Sequence, residues 1–211
     1  MNLKVCGMRD AENIKALSDL KPDFIGFIFY DKSPRNVGED LDVEMVKQIP
    51  KRIKKVGVFV NAKIDFVVQK TKKYGIDHVQ LHGDEMPDYC KSLRKKGLTI
   101  IKAFRVDSDF NFALLNSYRP NVDYFLFDAK GTQHGGNGHA FNWQILENYT
   151  IDTPYFLAGG IDLENIEKVK EIPNPPFSID VNSKFEIVPG LKDIPMLESL
   201  IFRNKNVLQT V

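Results

Sequence analysis

The sequence has little excess charge of either sign and no long apolar run. Its 29 Lys and Arg residues are balanced by 28 Asp and Glu residues, so the formal net charge is only +1. Proteins that hold nucleic acid carry a clear basic excess. No apolar run approaches the ~18 residues that a membrane-crossing helix requires. We therefore expect neither nucleic acid nor a membrane among the partners of this chain.

Cysteine is also scarce, since Cys6 and Cys90 are the only two. Two cysteines cannot build the disulfide framework on which small secreted domains depend. A reducing compartment is the natural interpretation, and we expect a cytoplasmic protein.

Motifs for metals and nucleotide cofactors are missing as well. None of the four histidines is spaced with Cys, Asp or Glu as zinc ligands are. No GxGxxG motif opens a helix after the first apolar run, as dinucleotide binding would require. We expect no metal and no other cofactor.

The sequence does contain eight short apolar runs, spaced by roughly the ~30 residues of a βα unit. They are LKVC (3–6), FIGFIF (24–29), VGVFV (56–60), HVQL (78–81), TIIKAF (99–104), YFLFD (124–128), YFLA (155–158) and FSIDV (177–181). Most are continuously apolar, which is typical of parallel strands covered on both faces. Helix-like patterns lie between them, as at residues 10–20, 64–74, 86–96, 142–147, 162–169 and 193–204.

Eight strand–helix units indicate an α/β fold. They favour a single (β/α)8 TIM barrel over an open doubly wound sheet. No linker or shift in composition divides the chain. We therefore predict one barrel domain over residues 1–211.

Reactive side chains lie where the predicted strands end, and barrel active sites form at that end. Cys6 ends the first strand and Asp128 ends the sixth. A thiolate can act as a base or a nucleophile, but most free cysteines are simply buried apolar residues. An acid at the rim can bond a substrate or cap a loop. Position alone leaves both interpretations open for each residue.

Glycine-rich turns follow the sixth, seventh and eighth strands. Gly159–Gly160 and Asn182–Ser183 can offer backbone N–H groups to an anion, as barrel phosphate sites do. The segment GTQHGGNGHAFNW (131–143) can close over a substrate. The alternatives are ordinary turns, helix caps and a flexible loop.

Taken in order, the motifs resemble those of the phosphoribosylanthranilate isomerase family over the whole chain. They are KVCGMR (4–9), GFIFYDKSPRNV (26–37), VGVFVN (56–61), QLHGDE (80–85), FLFDAKG (125–131), GGNGHAFNW (135–143), LAGGIDLENI (157–166) and, within 179–193, IDVNSKFE and PGLKD. Each motif is weak alone, but the full ordered set is specific. The resemblance implies a cofactor-free isomerase of tryptophan biosynthesis, active as a monomer or a homodimer.

The resemblance also implies the reaction, an Amadori rearrangement of N-(5-phosphoribosyl)anthranilate to 1-(2-carboxyphenylamino)-1-deoxyribulose 5-phosphate. An acid at the Asp128 position opens the furanose ring, and a thiol base at the Cys6 position then removes the C2 proton. Such a base should have its pKa lowered by a positive field, whereas the acid should hold its proton near neutral pH.

Further roles follow from motif position. Arg35 would meet the anthranilate carboxylate, which suits a planar guanidinium. His82 and Asp180 would bind or orient the substrate. The phosphate would lie against Gly159, Gly160, Ser183 and Lys184. The mobile loop would contain Gly135, Gly136, Asn137 and Gly138.

The sequence departs from the family pattern in three places. The sixth loop has GGNG for the more usual GGTG and FNW for FDW, and Asn keeps hydrogen-bonding capacity at both. Lys184 stands where the family more often has glycine. Its charge can help to bind phosphate, or its side chain can hinder the approach of the backbone.

Two other kinds of barrel remain as alternatives. One is another phosphate-binding enzyme, such as a ribulose-phosphate epimerase or an indole-glycerol-phosphate synthase. The synthase would need a lysine and a glutamate at strand ends, and Lys102 has no evident glutamate partner. The other is a barrel without catalysis, which the presence of both Cys6 and Asp128 disfavours.

Overall fold

A computed structural model describes residues 1–39, 41–129 and 142–207. Eight parallel strands close into a barrel in sequence order. They are β1 (Asn2–Val5), β2 (Phe24–Ile28), β3 (Lys54–Phe59), β4 (His78–Leu81), β5 (Thr99–Val106), β6 (Tyr124–Ala129), β7 (Tyr155–Leu157) and β8 (Ser178–Val181). Pairing of β1 with β8 completes the ring, with Lys4 beside Asp180. The predicted barrel is confirmed, and the open sheet is excluded.

Helices cover the outside of the barrel. The α-helices are α1 (Ala11–Asp19), α2 (Val43–Gln48), α3 (Ile64–Tyr74), α4 (Pro87–Arg94) and α5 (Ile194–Val207). Short 3₁₀ helices span Phe112–Ser117, Arg119–Asn121, Trp143–Asn148, Ile166–Glu171 and Ser183–Phe185. The sequence pattern predicts most of these segments but not α2, nor the pair after β5. Among the described residues, no helix combines the length and apolar character needed to cross a membrane.

The ends of α3 illustrate how local sequence sets a boundary. Val67 and Thr71 are buried one helical turn apart, which places one face of the helix against the barrel. The helix ends at Gly75, whose φ of 62° lies in the left-handed region and whose N–H donates to Thr71 O. Glycine adopts this conformation without steric cost, so the predicted stop at Gly75 is confirmed.

Two apolar layers explain why the strands are continuously apolar. Alternate side chains of β6 point to opposite sides, so Phe125 and Phe127 join the layer under the helices. Leu126 instead joins a smaller cluster inside the barrel. Each such burial contributes about 1.5–3 kcal/mol. Toward the carboxyl ends of the strands, charged and polar side chains replace apolar ones inside the barrel.

A small antiparallel hairpin follows β8 and is absent from the sequence-based prediction. It consists of β9 (Glu186–Val188) and β10 (Leu191–Lys192). Gly190 turns the chain with a φ of 87°. That φ lies in the left-handed region, which strains any residue other than glycine. The hairpin thereby places Glu186 and Lys192 beside the barrel mouth.

Candidate active site

Cys6 follows β1 at the mouth of the barrel. Its N–H donates to Val181 O at 2.9 Å, which keeps the residue in line with the barrel wall. The thiol is buried against Gly26 of β2, and a methyl group on Gly26 would lie 2.7 Å from Sγ. Gly26 therefore provides the space that the thiol occupies.

Two lysines create a positive field at Cys6. The charges of Lys4 and Lys192 both act on the thiol, and that of Lys4 acts more strongly. Burial nevertheless raises the pKa of the Cys6 thiol, and the nearby Asp180 carboxylate raises it further. The predicted positive field is present, but the predicted lowering of the pKa is wrong. The reason is desolvation, because a charged sulfur loses its water inside the barrel.

Lys4 and Asp180 form a buried ion pair directly beneath Cys6. Nζ of Lys4 lies 2.7 Å from Oδ2 of Asp180, and the lysine is fully buried. Burial alone would lower the pKa of Lys4, but Asp180 and Cys6 raise it overall, so Lys4 is a cation. The other oxygen of Asp180, Oδ1, is buried with no hydrogen-bond partner among the described residues. An acceptor thus remains open at the position predicted to bind substrate.

Asp128 and His82 lie together on the same mouth. Asp128 is buried at the end of β6, and its Oδ2 lies 3.4 Å from Nε2 of His82. The other ring nitrogen of His82 lies 3.3 Å from Nε2 of Gln80. The charges of Lys4, Asp128 and His82 all act on the Asp180 carboxyl group. Asp180 therefore connects the surroundings of Cys6 with those of Asp128.

Gln80 is a site residue to which sequence reasoning assigned no role. It lies on β4 and faces the same way as His82, two residues later. Its Oε1 is buried and has no hydrogen-bond partner within the part of the chain that the structure describes. Its place inside the motif QLHGDE was the available signal, because alternation along a strand puts Gln80 and His82 on one face.

Arg35 is held in the loop after β2 by a carboxylate. Its Nε and Nη2 donate to both oxygens of Glu186 at 2.7–2.9 Å. Glu186 also accepts from Lys192 Nζ at 2.6 Å and from Gly190 N at 3.1 Å. One edge of the guanidinium is thus occupied by the protein itself. Sequence reasoning missed Glu186 and Lys192, although both lie in the quoted motifs of the eighth unit.

The predicted phosphate-binding residues occupy two adjacent loops. Gly159 and Gly160 follow β7 with φ values of 85° and 69°. Ser183 and Lys184 follow β8 in a single turn of 3₁₀ helix. Nζ of Lys184 lies 4.0 Å from Oδ2 of Asp162, which brings the two loops together.

Lys102 does not lie at the mouth. Its neighbours in β5, Ile101 and Ala103, face the inside of the barrel, so Lys102 faces the helix layer. There Nζ lies 3.0 Å from Oε2 of Glu85 and also donates to Leu81 O and Gly83 O. A glutamate partner therefore exists, but on the wrong side of the sheet for synthase chemistry.

Two expectations remain, one about the loop after β6 and one about metal ions. The predicted mobile loop at Gly135, Gly136, Asn137 and Gly138 lies outside the described residues. Over residues 1–39, 41–129 and 142–207, no group of three or more His, Cys, Asp or Glu side chains is arranged to hold a metal ion.

Comparison with known proteins identifies the family. A family model described as N-(5'phosphoribosyl)anthranilate (PRA) isomerase matches residues 3–203. The chain therefore belongs to this isomerase family. Members of the family are enzymes of tryptophan biosynthesis that interconvert an aldose and a ketose, and this chain is an isomerase of that kind acting on a small molecule. The epimerase, synthase and non-catalytic alternatives are set aside.

Relatives in the family match the chain over nearly its full length. The chain is 45% identical over 204 residues to N-(5'-phosphoribosyl)anthranilate isomerase of Parabacteroides distasonis, covering 95% of this chain and 92% of that protein. It is 36% identical over 210 residues to the enzyme of that name from Phocaeicola vulgatus, covering 99% and 100% of the two chains.

Solved structures of the family share the barrel. The enzyme from Thermotoga maritima superposes with a TM-score of 0.88 at 28% identity, covering 98% of this chain and 99% of that one. A family structure in complex with reduced 1-(o-carboxyphenylamino)-1-deoxyribulose 5-phosphate superposes with a TM-score of 0.82 at 26% identity, with 98% and 99% coverage.

Proposed function

We propose that this isomerase converts N-(5'-phosphoribosyl)anthranilate to 1-(2-carboxyphenylamino)-1-deoxyribulose 5-phosphate, with Asp128 as the acid and Cys6 as the base. One observation carries the assignment. Cys6 and Asp128 lie at the carboxyl ends of different strands, and Asp180 interacts electrostatically with both of them. An acid and a base on one mouth are what the two steps of an Amadori rearrangement require.

In the first step, Asp128 donates a proton to the furanose ring oxygen. The bond from C1 to that oxygen breaks, and the lone pair of the anthranilate nitrogen forms a C1=N bond. His82, whose Nε2 lies 3.4 Å from Oδ2 of Asp128, helps to orient the carboxyl group toward the substrate. The product of this step is an open-chain Schiff base.

In the second step, the Cys6 thiolate takes the proton from C2. The electrons of the C2–H bond form a C1=C2 bond, and those of the C=N bond return to nitrogen. Protonation at C1 and loss of the proton on O2 then give the ketose.

Substrate recognition uses the remaining predicted residues. Arg35, steadied by Glu186, receives the anthranilate carboxylate through the nitrogen not bound to Glu186. The phosphate binds at Gly159, Gly160, Ser183 and Lys184. The open oxygens of Asp180 and Gln80 accept hydrogen bonds from sugar hydroxyls.

The same proposal covers the setting of the enzyme. Its partner is a phosphorylated small molecule, and residues 1–211 form one barrel domain that works in the cytoplasm without a cofactor. The expected state is a monomer or a homodimer. One solved relative from Thermotoga maritima, at 27% identity, is described as monomers generated from a dimeric enzyme.

The roles of Cys6 and Asp128 are tested by following the loss of anthranilate fluorescence when substrate is generated in situ. We expect Cys6→Ala and Asp128→Asn each to lower kcat by about 10²–10⁴-fold, the usual contribution of a general acid or base. Affinity for a product analogue should change little. Cys90→Ala is the matched control, because Cys90 is buried in α4 and should be dispensable for activity. Full activity in Cys6→Ala or Asp128→Asn contradicts the assigned role.

A further inference from the structure

We propose that Lys4 is a positioning residue for Cys6, and that its ammonium group, held by Asp180, stabilises the Cys6 thiolate. This inference rests on the proposed role of Cys6 as the base. It adds to the site a residue of β1 that lies below the mouth of the barrel.

The placement of Lys4 follows from alternation along β1. Leu3 and Val5 pack in the layer under the helices, so Lys4 and Cys6 point into the barrel. Lys4 is completely buried there. Moving an ammonium group out of water costs several kcal/mol unless a partner compensates. The neighbouring strand β8 supplies that partner, because Asp180 stands beside Lys4 in the sheet.

Lys4 interacts with both Asp180 and Cys6. The ammonium lies 2.7 Å from Oδ2 of Asp180, and it faces the same side of β1 as Cys6, two residues later, where its charge acts on the thiol. Lys192, the other cation near Cys6, donates instead to Glu186 and to Oδ1 of Asn182, each at 2.6 Å. Lys4 is therefore the cation whose charge acts most strongly on the sulfur.

The Lys4–Asp180 pair leaves one buried carboxylate oxygen without a hydrogen bond among the described residues, unlike a pair that serves stability alone. Buried polar atoms are nearly always hydrogen-bonded. Oδ1 of Asp180, however, has no partner within the described residues, although it is buried. One oxygen of Asp180 holds Lys4, and the other is left for a substrate group. The arrangement lets Asp180 hold the ammonium beneath the sulfur while its free side meets the substrate.

The chemical consequence concerns the charge on sulfur. Desolvation disfavours the thiolate, and the ammonium on the same face of β1 offsets part of that cost. Removing the charge of Lys4 while keeping its length should therefore move thiolate formation to higher pH. Arginine at this position keeps the charge but not the compact shape, and should restore part of the effect.

Alkylation of Cys6 by iodoacetamide tests the idea without relying on catalysis. The full chain carrying Cys90→Ala serves as the background, so that Cys6 is its only thiol. In this background we expect Lys4→Met to shift the pH dependence of alkylation upward by about one unit or more. Lys102→Met is the matched control, since it removes an equally buried lysine from the outer layer, and it should leave the profile unchanged. The pH profile of kcat/KM should shift in parallel.

A second variant keeps the test decisive if Lys4→Met fails to fold. Lys4→Met combined with Asp180→Asn removes both charges, which buried pairs tolerate better than the loss of one partner. A smaller upward shift is expected, because the opposing charge of Asp180 is also gone. An unshifted profile in the folded double variant, or an equal shift in Lys102→Met, overturns the proposal. Activity in Cys6→Ala would instead overturn the proposed function, so the two failures are distinguishable.

Discussion

Two buried lysine–carboxylate pairs stand on opposite faces of the same barrel wall. The Lys102–Glu85 pair lies under the helices, and the Lys4–Asp180 pair lies inside the mouth. Lys102 bonds two carbonyls and a carboxylate, and Glu85 also accepts from Asn61 N and Gly83 N. Asp180 keeps one oxygen open. The completed pair holds loops together, whereas the incomplete pair has capacity left for a ligand.

Removing the carboxylate of the inner pair should have the largest effect. Asp180→Ala leaves Lys4 buried and unpaired, which we expect to cost about 3–5 kcal/mol of unfolding free energy. It should also lower kcat/KM by roughly 10²-fold, or about 2.7 kcal/mol, because the ammonium loses its position below Cys6. Urea unfolding and steady-state kinetics on the folded fraction measure the two effects. If Asp180→Ala lowered the unfolding free energy but left kcat/KM unchanged, the inner pair would serve stability alone.

The equivalent change in the outer pair should separate stability from catalysis. Glu85→Ala leaves Lys102 buried without its carboxylate partner and removes the acceptor of the N–H groups of Asn61 and Gly83. We expect a similar loss of about 3–5 kcal/mol in urea unfolding. The kcat/KM of the folded enzyme should stay within about twofold, since neither residue faces the mouth. A large kinetic defect here would erase the distinction between the two pairs.

A third carboxylate, Glu186, extends the comparison to acid stability. Burial opposes its charge, but Arg35, Lys192 and the N–H of Gly190 hold the pKa of Glu186 below its usual value of 4.5. A lowered folded-state pKa contributes stability above the unfolded pKa, and that stability is lost as pH falls through the folded value. Glu186→Gln should therefore flatten the loss of stability below about pH 4.5. Thermal unfolding at pH 3–6 checks this, and unchanged steepness would contradict it.

The smallest effect should come from the exposed end of the site. Lys184 is half-exposed, and its 4.0 Å contact with Asp162 is worth at most about 1 kcal/mol. Lys184→Ala should leave the unfolding free energy unchanged within error. If Lys184 binds phosphate, KM should rise by roughly 3- to 10-fold, or about 0.7–1.4 kcal/mol, and more so at low salt. An unchanged KM would leave the backbone of Gly160 and Ser183 as the phosphate ligands.

Sequence predicts the barrel well because its signals are local. The run at β6 carries apolar side chains on both faces, and Gly75 stops α3 by its own conformational freedom. The hairpin β9–β10 has only the turn at Gly190 as a local signal. Its second strand is held by the side-chain amide of Asn13 in α1, which donates to Lys192 O and accepts from Lys192 N. A contact between residues so far apart in the chain cannot be seen in either segment alone.

Motif position predicts some residues of the candidate site, but not Gln80, Glu186 or Lys192 and not the electrostatics. Motif position indicated Cys6, Asp128 and Asp180, and the structure places all three at one mouth. The direction of the Cys6 pKa could not be read in the same way, because burial outweighs the two lysines. The Glu186 partner of Arg35 likewise lies 151 positions away in the sequence.

The seam between β1 and β8 has a consequence for when the enzyme becomes active. Lys4 and Asp180 are 176 positions apart, so nearly the whole chain must leave the ribosome before the ammonium meets its partner. Synthesis proceeds at about 5–20 residues per second, and long-range pairings form late. The thiol of Cys6 thus emerges first but gains its neighbours last. Nascent chains halted before β8 carry the reactive sulfur in an unassembled site, which couples chemical competence to the completion of translation.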